Sequence, residues 1–267
     1  MLLMLFADGA PVSNSVVITR PLAQSDSLAR RVAAIGRDAI IFPLLEIHPL
    51  PDPAQLKEIL SDIAGYAMVA FVSPNAIHAT FSFLQEWPRD VALAVMGEGS
   101  RVALAQHGLN SANATILSPL DAHRTDSQTL LAALDLAALK GKRVLIIRGE
   151  SGLELLADGL SAAGVHVTQV AAYRRVEPSL SQALRQQLLK LLEGRHDWVL
   201  TSSESLRHLL QMVEKVADVA GVAKMQQQRI IVPHARIAET ARTLGFGNIT
   251  LTGSGDEQLL AALQSSA

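Results

Sequence analysis

The chain has 267 residues, enough for one large or two ordinary domains, and 49% hydrophobic against 18% charged residues allow it to bury real cores. Its formal net charge of −2 supplies no basic face for nucleic acid. The absence of cysteine excludes a disulfide framework, a thiolate nucleophile and cysteine-ligated metal clusters.

Residues 1–14 open with an apolar run, Met1 to Phe6, too short to cross a membrane and lacking the basic start of a signal peptide. The segment has no counterpart later in the chain and is expected to be a poorly ordered extension. Val16-Val17-Ile18 then reads as a strand leading into Thr19-Arg20 and a helical face of Leu28, Val32 and Ile35. Gly36 is placed to end that helix in a left-handed conformation, and a second apolar run closes at Glu46-Ile47-His48-Pro49. Prolines 49, 51 and 53 mark a break. Ala67 to Val72 is the next strand, turning at Ser73-Pro74-Asn75 into a helix that Ser73 caps. Val91 to Val95 leads through Gly97-Glu98-Gly99-Ser100 into a helix ending near Gly108, and Asp126-Ser127 opens another.

The order then recurs. Leu145-Ile146-Ile147 runs into Arg148-Gly149-Glu150, a helical face of Leu153, Leu156 and Leu160, then Gly164, then an extended run closing at Tyr173-Arg174-Arg175-Val176-Glu177-Pro178. The spacing from Arg148 to Gly164 equals that from Arg20 to Gly36. Trp198 to Thr201 turns at Ser202-Ser203-Glu204-Ser205 as Phe71-Val72 turns at Ser73, within one residue of the same distance from the preceding arginine. Arg229 to Val232 precedes a helix ending near Gly245. Two copies of one α/β unit, each a mainly parallel sheet flanked by helices, account for the pattern. It leaves open whether the domains are the copies in series or are interleaved.

The corners at Ser73-Pro74-Asn75 and Ser202-Ser203-Glu204 put hydroxyls where a strand meets a helix, the edge at which open parallel sheets bind ligands and helix N-termini attract anions. Plain capping by serine explains them equally well. Arg148-Gly149-Glu150-Ser151-Gly152 lets backbone approach an anion but is no Walker motif, and Gly97-Glu98-Gly99-Ser100 is only part of a dinucleotide fingerprint. The eight histidines form no His-x-x-x-His or His-Glu-x-x-His pair, and no Gly-x-Ser-x-Gly elbow is present, so neither a metal site nor a serine hydrolase is expected. Of two tyrosines, Tyr66 precedes a strand and reads as core. Tyr173, beside Arg174 and Arg175, is either a packing residue at a domain junction or a phenol facing a cleft and able to give a proton.

Together Thr19-Arg20-Pro21, Pro43-Leu44-Leu45-Glu46-Ile47, Phe71-Val72-Ser73-Pro74-Asn75-Ala76, Arg148-Gly149-Glu150-Ser151-Gly152, Tyr173-Arg174-Arg175 and Thr201-Ser202-Ser203-Glu204-Ser205 resemble the uroporphyrinogen-III synthase family, in family order from Val16 to Leu263. The resemblance implies two similar α/β lobes joined by a two-stranded linker: residues 15–44 plus 178–264 form one lobe, 50–170 the other, and 45–49 with 171–177 the linker. It implies a cofactor-free lyase that cyclises the linear tetrapyrrole hydroxymethylbilane to uroporphyrinogen III, with loss of water and inversion of the terminal pyrrole ring. Such a substrate is a polycarboxylate, to be held by helix N-termini, backbone N–H groups and a few local cations. The resemblance makes Tyr173 the catalytic acid and Arg20, Ser73, Asn75, Arg148, Gly149, Ser202, Ser203 and Arg236 the substrate contacts, with capping of strands or pairing with Glu46 and Glu150 as the alternative for the arginines. It further implies a cytoplasmic monomer receiving substrate from hydroxymethylbilane synthase, with no nucleic acid, membrane or metal involved. The chain departs from the family pattern where Leu153 replaces an arginine, Ser100 a threonine, and where Val232 to Arg236 lacks a glycine. The competing readings are a non-catalytic two-lobed binding protein for a small anion and a degenerate family member.

Overall fold

The computed structural model describes residues 14–119, 126–152 and 154–265; the expected N-terminal extension, apart from Asn14, and Leu153 lie outside them. The chain forms two units, one from the described residues up to Leu45 together with those from Glu177 on, the other Glu46–Val176. The first holds β1 (Ser15–Ile18), α1 (Leu22–Ala34) and β2 (Asp38–Ile41). The second runs through β3 (Glu46–Pro49), α2 (Ala54–Ser61), β4 (Met68–Phe71), α3 (Pro74–Phe81), β5 (Ala92–Val95), α4 (Glu98–Gln106) and β6 (Ile116–Leu117). It continues through α5 (Ser127–Ala133), α6 (Leu136–Leu139), β7 (Arg143–Gly149), α7 (Leu155–Ala162) and β8 (His166–Val176). The chain then returns to the first unit with α8 (Gln182–Glu193), β9 (Asp197–Val199), α9 (Ser203–Val216), α10 (Val219–Gln226), β10 (Arg229–Val232), α11 (Ala235–Thr243), β11 (Asn248–Leu251) and α12 (Asp256–Gln264).

The two sheets share one plan. In the first unit the strand order is β11-β10-β9-β1-β2, all parallel. In the second, β6-β5-β4-β7-β8 repeats it in parallel, with β3 added antiparallel along the far half of β8. Each unit therefore combines the opening strands of one sequence copy with the later strands of the other. Residues 171–176 are the far end of β8, which continues to Val176 after β7 stops at Gly149.

Both faces of each sheet are covered, which is why the strands read as continuous apolar runs instead of alternating. Along β7, Leu145 and Ile147 enter the core with α2, α3 and α4, while Val144 and Ile146 enter the core with α5 and α7. Along β1, Val17 joins the core built on Trp198 and Phe42, while Val16 and Ile18 join the one closed by Leu28 of α1 and Leu259 of α12. Trp198 and Phe42 meet edge to face at 6.0 Å. Gly36 and Gly164 end α1 and α7 with φ of 79° and 81°, a conformation that disfavours any side chain with a Cβ. Among the described residues no helix is long and apolar enough to cross a membrane.

Candidate active site

In the second unit the expected residues gather at the carboxyl ends of β4 and β7. Ser73 caps α3, its Oγ accepting from the Ala76 N–H at 3.2 Å, with Pro74 at the first helical position, where a missing N–H costs nothing. Asn75 follows in the first turn, partly buried. The same Ser73 Oγ lies 3.0 Å from the hydroxyl of Tyr173.

Tyr173 reaches that serine through an irregularity in β8. The pairing with β7 runs evenly from Arg143 opposite His166 to Arg148 opposite Ala171, then skips Ala172 so that Gly149 opposes Tyr173. An inserted residue of this kind turns the following side chain to the other face. Ala172 and Tyr173 accordingly enter the same core, beneath α3, although they are adjacent in sequence. The Tyr173 ring passes over Gly149: a Cβ at that position would stand 3.0 Å from Cζ and 3.2 Å from Cε2 and Oη. With 5% of its surface exposed, Tyr173 is a packed residue whose hydroxyl is delivered to the corner.

Arg148 is not brought into this group. Its side chain leaves β7 on the opposite face, 8% exposed, and its guanidinium donates to Glu154 Oε1 at 2.5 Å and Gln169 Oε1 at 2.8 Å. The Gln169 amide and Arg148 hold the Glu154 carboxyl below the usual carboxylate range. Arg148 closes an internal cluster at the loop before α7, with Glu154 as its ion-pair partner. Arg175 anchors the same loop by donating to the Ser151 carbonyl and hydroxyl, each at 2.9 Å.

The first unit has its own corner. Ser202 caps α9, accepting from the Ser205 N–H at 2.9 Å and donating to Ser205 Oγ at 2.8 Å. Ser203 is buried, its Oγ 3.0 Å from the hydroxyl of Thr240 of α11. Thr240 also bonds the Arg236 carbonyl, which ties the first turn of α11 to the start of α9. Arg236 itself is exposed. Arg20, at the end of β1, is paired with Asp256 of α12 at 2.7 Å. The serine corner and Arg236 thus share one edge of the sheet, while Arg20 is an ion-paired residue there. Among the described residues no three His, Asp or Glu side chains converge as metal ligands.

The doubled sheet that carries these corners has counterparts among known proteins. A family model described as uroporphyrinogen-III synthase HemD matches residues 26–254. The chain belongs to the uroporphyrinogen-III synthase family. It is 31% identical over 258 residues to the uroporphyrinogen-III synthase of Escherichia coli K12, covering 94% of this chain and 100% of that protein. Identity to the Salmonella typhimurium enzyme of the same name is 31% over 255 residues, again covering 94% and 100%. A solved uroporphyrinogen-III synthetase from Helicobacter pylori 26695 is similar in fold, with a TM-score of 0.60 at 14% identity over 94% of this chain and 99% of that one. A mutant uroporphyrinogen III synthase from Thermus thermophilus gives 0.58 at 14% identity, covering 94% and 98%.

Membership sets aside the reading of an unrelated small-anion-binding protein. Sequence reasoning missed the residue skipped at Ala172, the Glu154–Gln169 partners of Arg148 and the Thr240 bond to Ser203. The only trace of the first is the run of small residues, Ala171-Ala172, that lets a strand shift without loss of a large contact.

Proposed function

We propose that the chain is a uroporphyrinogen-III synthase, a lyase that cyclises hydroxymethylbilane with loss of water and inversion of the terminal pyrrole ring, and that Tyr173 is its general acid. The observation that carries the reading is a match to a named synthase spanning all of that protein and both units of this chain. A phenol seated at a strand-to-helix corner is suited to the first step. Its proton goes to the departing hydroxyl, the carbon–oxygen bond breaks with its electron pair leaving as water, and the substrate becomes an electrophilic azafulvenium. Ring closure releases a proton, which restores the phenol.

The remaining work is positioning a polycarboxylate, and the corners are built for it. We assign carboxylate contacts to Asn75 and the first turn of α3 in one unit, and to Ser202, Ser203 and the exposed Arg236 in the other. Arg20 and Arg148, held by Asp256 and Glu154, shape the loops beside these corners. The chain further acts, in this proposal, as a cytoplasmic monomer that takes its substrate directly from hydroxymethylbilane synthase.

Tyr173→Phe tests the acid assignment. General acid help is worth on the order of 10²- to 10⁴-fold, so kcat is expected to fall by at least about 100-fold while positioning keeps turnover above the uncatalysed rate. Wild-type kcat in a folded Tyr173→Phe protein removes the acid role.

A further inference from the structure

Resting on the assignment of Tyr173 as the acid, we infer that Ser73 and Gly149 are positioning residues for it: Gly149 by leaving room for the ring, and Ser73 by donating its proton to the phenol oxygen so that the phenol's own proton faces the substrate.

Ser73 Oγ has one proton and already accepts from the Ala76 N–H. Its 3.0 Å contact with Tyr173 Oη then has two arrangements, with either hydroxyl as donor. Were the phenol to donate, its proton would point into the helix corner and be lost to the reaction. With Ser73 as donor, the serine proton stays on Oγ and points at Oη, the Ala76 N–H completes the serine, and the phenol proton is turned outward. The same arrangement serves the next instant. Once the phenol proton has moved to the substrate hydroxyl and water has left, negative charge develops on Oη, where the Ser73 hydroxyl and the positive end of α3 meet it without rearrangement. The proton released on ring closure returns to Oη, and Ser73 keeps its own throughout.

Gly149 fixes the other coordinate. The residue skipped at Ala172 puts Tyr173 opposite Gly149, and a Cβ there would approach three atoms of the phenol at 3.0–3.2 Å, closer than packed groups sit. The ring would give way by a few tenths of an ångström, and since the ring leads directly to the hydroxyl, the displacement is passed to the Ser73 contact.

A double-mutant cycle in kcat with Tyr173→Phe reads this directly. Ser73→Ala is expected to lower kcat and kcat/KM together by about tenfold or more, since it removes an interaction that strengthens in the transition state. Gly149→Ala is expected to act in the same direction, and Ser73→Thr, which keeps hydroxyl and cap, to restore kcat to within about threefold of wild type. In the Tyr173→Phe background Ser73→Ala should change kcat by less than about twofold, because there is no phenol left to orient. Ser181→Ala, which removes the cap of α8 and touches no site residue, serves as the stability control and should leave kcat unchanged.

Equal losses from Ser73→Ala in both backgrounds, or a rise in KM with kcat intact, would overturn the inference while leaving Tyr173 as the acid. Wild-type activity in Tyr173→Phe would overturn both. The Ser73 arm decides the matter alone should Gly149→Ala not fold.

Discussion

Asp197 holds the amino edge of the first unit together, and its replacement has a cost that the structure sets. The carboxylate takes Arg37 at 2.8 Å and Arg229 at 3.1 Å on a single oxygen, with Asp197 and Arg37 each only 5% exposed at the side chain. The two arginines go on to donate to the Leu263 and Ala262 carbonyls, satisfying the open end of α12. Asp197→Asn keeps the shape and removes the negative charge that faces the buried Arg37 guanidinium at 2.8 Å. Breaking a buried pair from one side costs about 3–5 kcal/mol, whereas an exposed pair such as Lys215–Glu177, at 3.6 Å, is worth about 0–1 kcal/mol. The assay is built into the sequence, since one tryptophan, Trp198, lies beside Asp197 in the first unit and the other, Trp87, lies in the second. In a Trp87→Phe background, Trp198 fluorescence follows the unfolding of the first unit alone. With a urea slope of about 1–3 kcal/mol/M, Asp197→Asn should lower that midpoint by about 1–5 M. A loss under about 1 kcal/mol, the range of a surface pair, would refute the argument that the charge is trapped.

Other outcomes follow from the same structure. Burial lowers the affinity of His196 for a proton, only partly offset by Asp197, so the folded state prefers the neutral ring. The unfolded chain therefore binds more protons in the window below about 6.5, and stability of the first unit falls as pH drops through it; His196→Asn should flatten that fall in the Trp198 urea midpoint measured from about pH 7.5 to about pH 5.5. Gly36→Ala meets no atom within 4 Å of the added carbon, so its cost, about 1–2 kcal/mol, is the left-handed backbone alone, measurable by the same denaturation. Ser202→Ala removes the cap of α9 and a partner of the buried Ser205, for a loss of about 1–2 kcal/mol and a thermal midpoint lower by about 2–8 °C.

What could be read from the sequence was what local chemistry determines. Gly36 and Gly164 sit at matched distances because each copy must end a helix with φ near 80°, and Ser73 and Ser202 recur because each copy must cap one. The doubling was legible for the same reason. The crossing of the copies was not legible from the residue pattern and came only with the family resemblance, since parallel pairing of β1 with β9 and of β4 with β7 depends on partners more than 70 positions away. The site divides in the same way. Its corners followed from strand-to-helix turns, but the choice between Arg148 as substrate cation and Arg148 as partner of Glu154 and Gln169 lies in which face of β7 it leaves. Tyr173 could be singled out by its polar neighbours, while its route to Ser73 required the skipped Ala172, and a strict period of two places that side chain on the wrong face.

The central claim is that this chain directs the closure of a linear tetrapyrrole, and the isomer of its product tests that claim most directly. Purified protein incubated with freshly generated hydroxymethylbilane, followed by oxidation and chromatographic resolution of the uroporphyrins, should yield the type III isomer above the spontaneous type I background. Type I alone, from protein shown to be folded by the cooperative unfolding of both tryptophans, would contradict the account.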